Sequence, residues 1–352
     1  LLLLICGCQV GPVRPISASP SVERTPPTSL LSKNTDPITS PSLTATAQPS
    51  APVVKRLKVE PTRTATIAPS PSPTSTPDSY AGLLIEDLVN RSYGGSKLEI
   101  SETLAINSYF TRTMMTYPSD GLEIAGFLNS PRRPPETWGR KLYPVVIALH
   151  GYIEPEIYQT IDYTTGYADT LARAGFIVLH PNLRGYPPSD EGDNRFRVGM
   201  AIDVLNLIAL VKSQAGQPGP LEKADPQSIG LWGHSMGGGI AIRVMTVNPD
   251  IRAVVLYGSM SADDQKNYER ISTYFSSGQL GSEEVAVPLE IVRRISPINY
   301  LERVIAAVSI HHGKNDPDVP LAWSLDLCHR LKLLGKSVEC FTYPEQGHTF
   351  HG

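Results

Sequence analysis

The stretch that decides the fold is Ile229 to Val244, "IGLWGHSMGGGIAIRV". An apolar run stops at a serine and a helical pattern begins after it, with glycines at 233, 237, 238 and 239. Gly233-His234-Ser235-Met236-Gly237 fits G-x-S-x-G, and the flanks are the ones that motif requires, a buried strand before and a helix start after. A serine at such a turn takes a strained backbone conformation. Small residues two before and two after it let strand and helix pass closely. The side chain then projects over the sheet, and the helix N-terminus leaves the Met236 N–H free for a developing oxyanion. The glycine run is no phosphate loop, because it lacks the lysine of that motif and any G-x-G-x-x-G register.

Outward from this turn, short apolar runs alternate with helical patterns. The runs are "PVVIALHG" (144–151), "FIVLHPN" (176–182), "IRAVVLYGS" (251–259), "AAVSIHHG" (306–313) and "VECFTYP" (338–344). Between them lie "GYADTLARAG", "FRVGMAIDVLNLIALVKSQ", "MGGGIAIRVMTVNP" and "LAWSLDLCHRLKLLGK", which have helical spacing. Continuous apolar strands separated by helices predict an α/β fold, a mostly parallel sheet covered on both faces. Ligands bind beyond the carboxyl ends of the strands in such sheets. Ahead of this region, "YAGLLIEDLVNRSYGG" predicts a helix from Tyr80 closed by Gly94-Gly95, and "YFTRTMMTYPSDGLEIAGFLNSP" predicts a hairpin turning at Pro118-Ser119-Asp120-Gly121. The segment 261–297 lies between two strands and leans helical, which fits either an inserted cap or a crossover with a long loop.

A serine hydroxyl is a weak nucleophile at neutral pH and needs a base, itself oriented by an acid. In this architecture the chain order is Ser, then Asp or Glu, then His. "SIHHGKNDPDVP" puts Asp316 just past one strand, with Asp318 its main rival, and "YPEQGHTF" puts His348 just past the last. Ser235, Asp316 and His348 therefore converge on one sheet edge. His311 and His312 sit at a strand end as packed or turn-bonded rings, His329 falls mid-helix, and His351 lies close to the last residue. The histidines show no H-E-x-x-H or comparable metal spacing, so no zinc site is expected, and hydrolysis through such a triad needs neither a metal nor an organic cofactor. The second oxyanion donor should come from the loop after the first central parallel strand, where "HGY" makes the Tyr152 N–H the candidate. Arg184, in "NLRGYPPSD", reads as a loop brace.

Taken together, "HGY" (150–152), "NLRGY" (182–186), "GLWGHSMGG" (230–238), "SPINYL" (296–301), "HHGKNDPDVP" (311–320) and "YPEQGH" (343–348) resemble the α/β-hydrolase catalytic domain of the prolyl oligopeptidase family and its single-domain esterase relatives. The resemblance runs from about Ser108 to His351. It implies a serine hydrolase with Ser235 as nucleophile, Asp316 as acid, His348 as general base, and oxyanion donors at the backbones of Met236 and Tyr152. Two departures stand out. Family peptidases usually carry an N-terminal β-propeller, whereas here a Pro/Ser/Thr-rich tether precedes the domain, which favours an open-pocket esterase. The chain also stops shortly after His348, without the helix that commonly follows. The expected substrate is a small ester, with short peptides as the rival and a non-catalytic surface binding protein as the alternative of another class.

The first eight residues, "LLLLICGC", read as the end of a secretory signal whose beginning is missing. Ile5-Cys6-Gly7-Cys8 resembles a bacterial lipobox, which would make Cys8 the lipidated first residue of an exported protein held at the membrane of the cell surface. From about Gln9 to Ser79 the chain is rich in Pro, Ser and Thr and reads as a disordered tether to a domain spanning 80–352. The net charge of −3 offers no basic face for nucleic acid. Cys328 and Cys340 fit one disulfide bridge or two small buried side chains equally.

Overall fold

The computed structural model describes residues 79–133 and 142–350. The lipobox with Cys8, the tether up to residue 78 and His351 lie outside the described residues. The elements run α1 (Ile85–Asn90), β1 (Glu99–Ile106), β2 (Phe110–Ser119), β3 (Leu122–Pro131), β4 (Tyr143–Leu149), α2 (Thr165–Arg173), β5 (Ile177–Pro181), α3 (Val198–Gln214), β6 (Ala224–His234), α4 (Met236–Val247) and β7 (Ile251–Tyr257). Then follow α5 (Asp264–Arg270), α6 (Ser282–Val285), α7 (Leu289–Ile295), β8 (Ala307–Gly313), α8 (Leu321–Leu333) and β9 (Val338–Tyr343). Among the described residues, no helix is long and apolar enough to cross a membrane.

All nine strands form one sheet in the order β1-β2-β3-β5-β4-β6-β7-β8-β9. β1, β2 and β3 pair antiparallel, β3 joins β5 antiparallel, and from β5 through β4 to β9 every pairing is parallel. The central strands β4 and β5 read as continuous apolar runs because both of their faces are covered, whereas the edge strand β9 is largely exposed. Alternate residues separate accordingly: Val145, Ile147 and Leu149 join the cluster that includes α3, α4 and α8, whereas Val146 and Ala148 join Ala168 and Ala172 of α2. The buried helices α3 and α4 therefore pack one layer and α2 the other, so the expected α/β sheet with helices on both faces is what forms.

Register places the functional edge. Leu149 pairs with Gly233, and His234 with Tyr257, Tyr257 with His311, and His311 with Phe341. The carboxyl ends of β4, β6, β7, β8 and β9 are thus aligned, and the chain leaves each of them toward the same side of the domain.

Three expectations need correction. The first helix covers only Ile85–Asn90, not the span to Gly94-Gly95. The hairpin turn is the two-residue Asp120-Gly121, both at positive φ (53° and 84°), while Pro118 and Ser119 belong to β2. Two left-handed residues match the twist of the flanking strands, which a turn centred on Ser119 and Asp120 with glycine last would not. β1 was not anticipated, because "EISETLAI" has no apolar alternation to mark it and six of its eight residues are exposed. The segment between β7 and β8 folds as α5, a π-helical turn at Ile271–Phe275, α6 and α7. Cys328 of α8 and Cys340 of β9 form a disulfide, which ties the edge strand to its helix.

Candidate active site

Ser235 stands between β6 and α4 with φ 52° and ψ −115°, a conformation that costs a non-glycine residue on the order of 1–3 kcal/mol. The surroundings hold it there. Its N–H donates to Tyr257 O at 3.0 Å, and its carbonyl accepts from Gly239 N at 3.2 Å and Met260 N at 3.1 Å. The motif glycines are required by contact. A Cβ on Gly233 would meet Gly237 O at 2.5 Å, and one on Gly237 would meet Leu149 O at 2.3 Å. Strand and helix can therefore cross only without side chains at those positions.

Asp316 follows β8. Its Oδ2 accepts from His348 Nδ1 at 2.8 Å and lies 3.2 Å from His312 Nε2, while Oδ1 accepts from the amides of Asp318 and Val319 at 2.9 Å each. The Asp316 side chain is fully buried and that of His348 is 16% exposed, so the acid is sealed and the ring opens to the surface. Burial alone would raise the Asp316 pKa. The hydrogen bonds from His312, His348 and the Val319 amide outweigh it and hold the carboxyl well below the usual carboxylate range. Gly258, at φ +49°, lies under this pair; a Cβ there would sit 3.3 Å from His348 Nδ1 and 3.4 Å from Asp316 Oδ2. Asp318, the rival acid, makes no side-chain bond to His348 among the described contacts.

Among the described residues, no hydrogen bond joins Ser235 Oγ to His348. What links the two loops is His234, the residue before the serine. Its Nε2 is 3.1 Å from the His348 carbonyl, and its Nδ1 meets the Tyr163 hydroxyl. A carbonyl only accepts, so Nε2 carries the proton, Nδ1 accepts, and Tyr163 donates. Burial first, and then the neighbouring His348, push His234 down to about 4, so the ring is neutral at neutral pH.

The proposed oxyanion amides flank the serine. Met236 is the first residue of α4, where a helix offers its N–H no internal acceptor. Gly151 approaches so closely that a Cβ there would be 3.2 Å from Ser235 Cβ, and Tyr152 is the next residue. The Tyr152 hydroxyl donates to Glu154 Oε2 at 2.8 Å, away from any oxyanion role. Asp316, Asp318 and His348 place ligand atoms within 4.8 Å of one another, but both Asp316 oxygens are already engaged by four donors.

Of the other histidines, His311 stacks on Phe341 and Tyr343, and His329 is exposed on α8. His312 is turn-bonded as expected, its Nε2 3.0 Å from Val319 O, and it also touches Asp316, which the sequence did not indicate. His234, Tyr163 and Gly258 were not singled out from sequence. Arg184 is the expected brace: it donates to both oxygens of Asp203 and to Asp193 O, binding the loop after β5 to α3.

Comparison with known proteins follows the same lines. A family model described as "Prolyl oligopeptidase family" matches residues 163–352. The chain is 27% identical over 237 residues to the protein named "Uncharacterized peptidase YtmA" of Bacillus subtilis (strain 168), covering 66% of this chain and 84% of that protein. In structure it is similar to acetyl xylan esterase 1 of Thermoanaerobacterium sp. JW/SL YS485 (TM-score 0.55, 18% identity, 76% of this chain, 89% of that one). It is also similar to the acylaminoacyl peptidase of Pyrococcus horikoshii (TM-score 0.53, 23% identity, 68% of this chain). The chain spans 38% of that peptidase's length.

Proposed function

The chain belongs to the prolyl oligopeptidase family and is a serine hydrolase, and on that premise we propose that it transfers acyl groups from small esters to water through Ser235, His348 and Asp316. The observation that carries the reading is the 2.8 Å bond between His348 Nδ1 and the sealed Asp316 carboxylate, at the sheet edge where Ser235 is held in its strained turn. With Nδ1–H committed to Asp316, the neutral ring keeps its lone pair on Nε2 for the serine proton. The serine–histidine bond closes when substrate binds, since such contacts commonly tighten only in the complex.

The steps follow from these roles. Ser235 Oγ attacks the carbonyl carbon as His348 Nε2 takes its proton. The oxyanion accepts from the amides of Met236 and Tyr152. Collapse breaks the bond to the leaving oxygen, which receives the proton from His348, and the acyl group stays on Ser235. Water then repeats the sequence and releases the acid. Asp316 stays ionised throughout.

The ester reading draws support from the loop after β4, whose Gly151 sits against Ser235. The loop after β4 that carries Gly151 also exposes Tyr152, Ile157 and Ile161, a rim suited to an apolar acyl or leaving group. The second reading, a peptidase of short peptides, draws on the family and on the name of the Bacillus relative. Turnover of p-nitrophenyl acetate and butyrate against aminoacyl p-nitroanilides, with Ser235→Ala as control, separates the two. Faster ester turnover that vanishes in Ser235→Ala is expected. Preferred cleavage of the anilides would overturn the ester assignment. We further propose that the protein is exported and held to a membrane by lipid on Cys8.

A further inference from the structure

We propose that His312, oriented by Ser324, is a positioning residue that clamps the Asp316 carboxylate in place for His348. The inference rests on the triad reading above and extends it to two residues that never meet substrate. His312 is fully buried, and so is its partner carboxylate. Its Nδ1 lies 2.8 Å from Ser324 Oγ on α8, and its Nε2 lies 3.0 Å from Val319 O and 3.2 Å from Asp316 Oδ2.

The proton positions follow from the partners. Val319 O and the carboxylate only accept, so Nε2 bears the hydrogen and is shared between them. Nδ1 then holds a lone pair, and Ser324 O–H donates to it. The bonds run in one direction, from Ser324 to His312, from His312 to Asp316, with His348 donating to the same Asp316 oxygen. Asp316 thereby receives four donors: two imidazoles on Oδ2 and two amides on Oδ1. The two amides fix Oδ1 from the turn itself. Among the described residues, His312 is the donor that holds Oδ2 besides His348 itself. Without His312, only the two amides on Oδ1 oppose rotation of the carboxylate about its last bond, and the direction in which His348 Nδ1–H points is less tightly set. A charged acceptor inside a low-dielectric pocket makes each of these bonds stronger than a neutral pair at the surface.

The test is a double-mutant cycle on ester turnover in the full chain. His312→Leu should lower kcat by about 10- to 100-fold, the range typical of partners one shell behind reacting groups. KM should stay within about twofold, because the ring is buried and touches no substrate. In an Asp316→Asn background the same substitution should cost less than about twofold, since there is no carboxylate left to orient. Should His312→Leu fail to fold, Ser324→Ala removes the donor that orients the ring, and it should give a smaller kcat loss that also disappears with Asp316→Asn. Wild-type kcat in the folded variant, or a loss undiminished in the Asp316→Asn background, would overturn the proposal while leaving the triad intact. Wild-type activity in Asp316→Asn alone would instead remove the triad reading on which it rests.

Discussion

His234 shows how one buried ring serves both stability and the site. Its Nε2–H holds the loop bearing His348 and its Nδ1 takes the Tyr163 hydroxyl, so a proton added to Nδ1 would break the second contact. The folded ring titrates at about 4 against 6.5 when unfolded. Between those values the unfolded chain binds a proton that the folded chain refuses, so stability is present above pH 6.5 and is lost as pH falls toward 4. The shift corresponds to about 3 kcal/mol. Urea unfolding of wild type and His234→Gln at pH 7 and pH 4 should show wild type losing about that much more. Parallel losses would mean that the ring is not the neutral bridge described. This role was not legible in the sequence, where His234 is only a variable letter of G-x-S-x-G; its partners come from the loop before α2 and from beyond β9. The same holds for His312, which the sequence offers as one of two adjacent strand-end histidines. Ser235, Asp316 and His348 were legible because strand ends and chain order constrain them locally.

At the scale of elements, the β6–Ser235–α4 turn tolerates no added side chain at its glycines 233 and 237. Gly237 faces the carbonyl of Leu149 at the end of the neighbouring strand, and a methyl group 2.3 Å from that oxygen has nowhere to go without moving β4 or α4. Overpacking of this kind costs about 1–3 kcal/mol and displaces backbone. Gly237→Ala should therefore lower the melting temperature and abolish ester turnover, whereas Gly239→Ala, whose Cβ would find only Met260 Cβ at 3.2 Å, should do much less. Differential scanning calorimetry with activity assays checks this, and equal effects would contradict the contact argument. The elements that sequence missed or misplaced share a cause. β1 is an exposed edge strand held by pairing with β2, so it carries no burial pattern. α1 is shorter than its periodicity suggests because Leu84 before it and Arg91 after it take extended backbone conformations.

Across the whole described domain, Ser235, Asp316 and His348 follow the carboxyl ends of β6, β8 and β9 along one aligned sheet edge. The disulfide ties β9 to α8 and so fixes the strand that delivers His348; a loop of that length contributes about 3 kcal/mol. The bridge agrees with an oxidising compartment, as proposed for an exported protein. That proposal has its own check: Cys8→Ser should move the protein from the membrane fraction to the soluble exported fraction, and unchanged membrane association would remove the lipid anchor. The parallel core was readable from its apolar runs. The pairing of the two cysteines was not, since it depends on the register of β9 against β8.

The most direct measurement is covalent labelling with a fluorophosphonate, located by mass spectrometry of the digested protein. The account predicts one adduct, on the peptide containing Ser235, absent in Ser235→Ala and strongly slowed in His348→Ala. A folded wild-type protein that takes no label, or takes it elsewhere than Ser235, would contradict it.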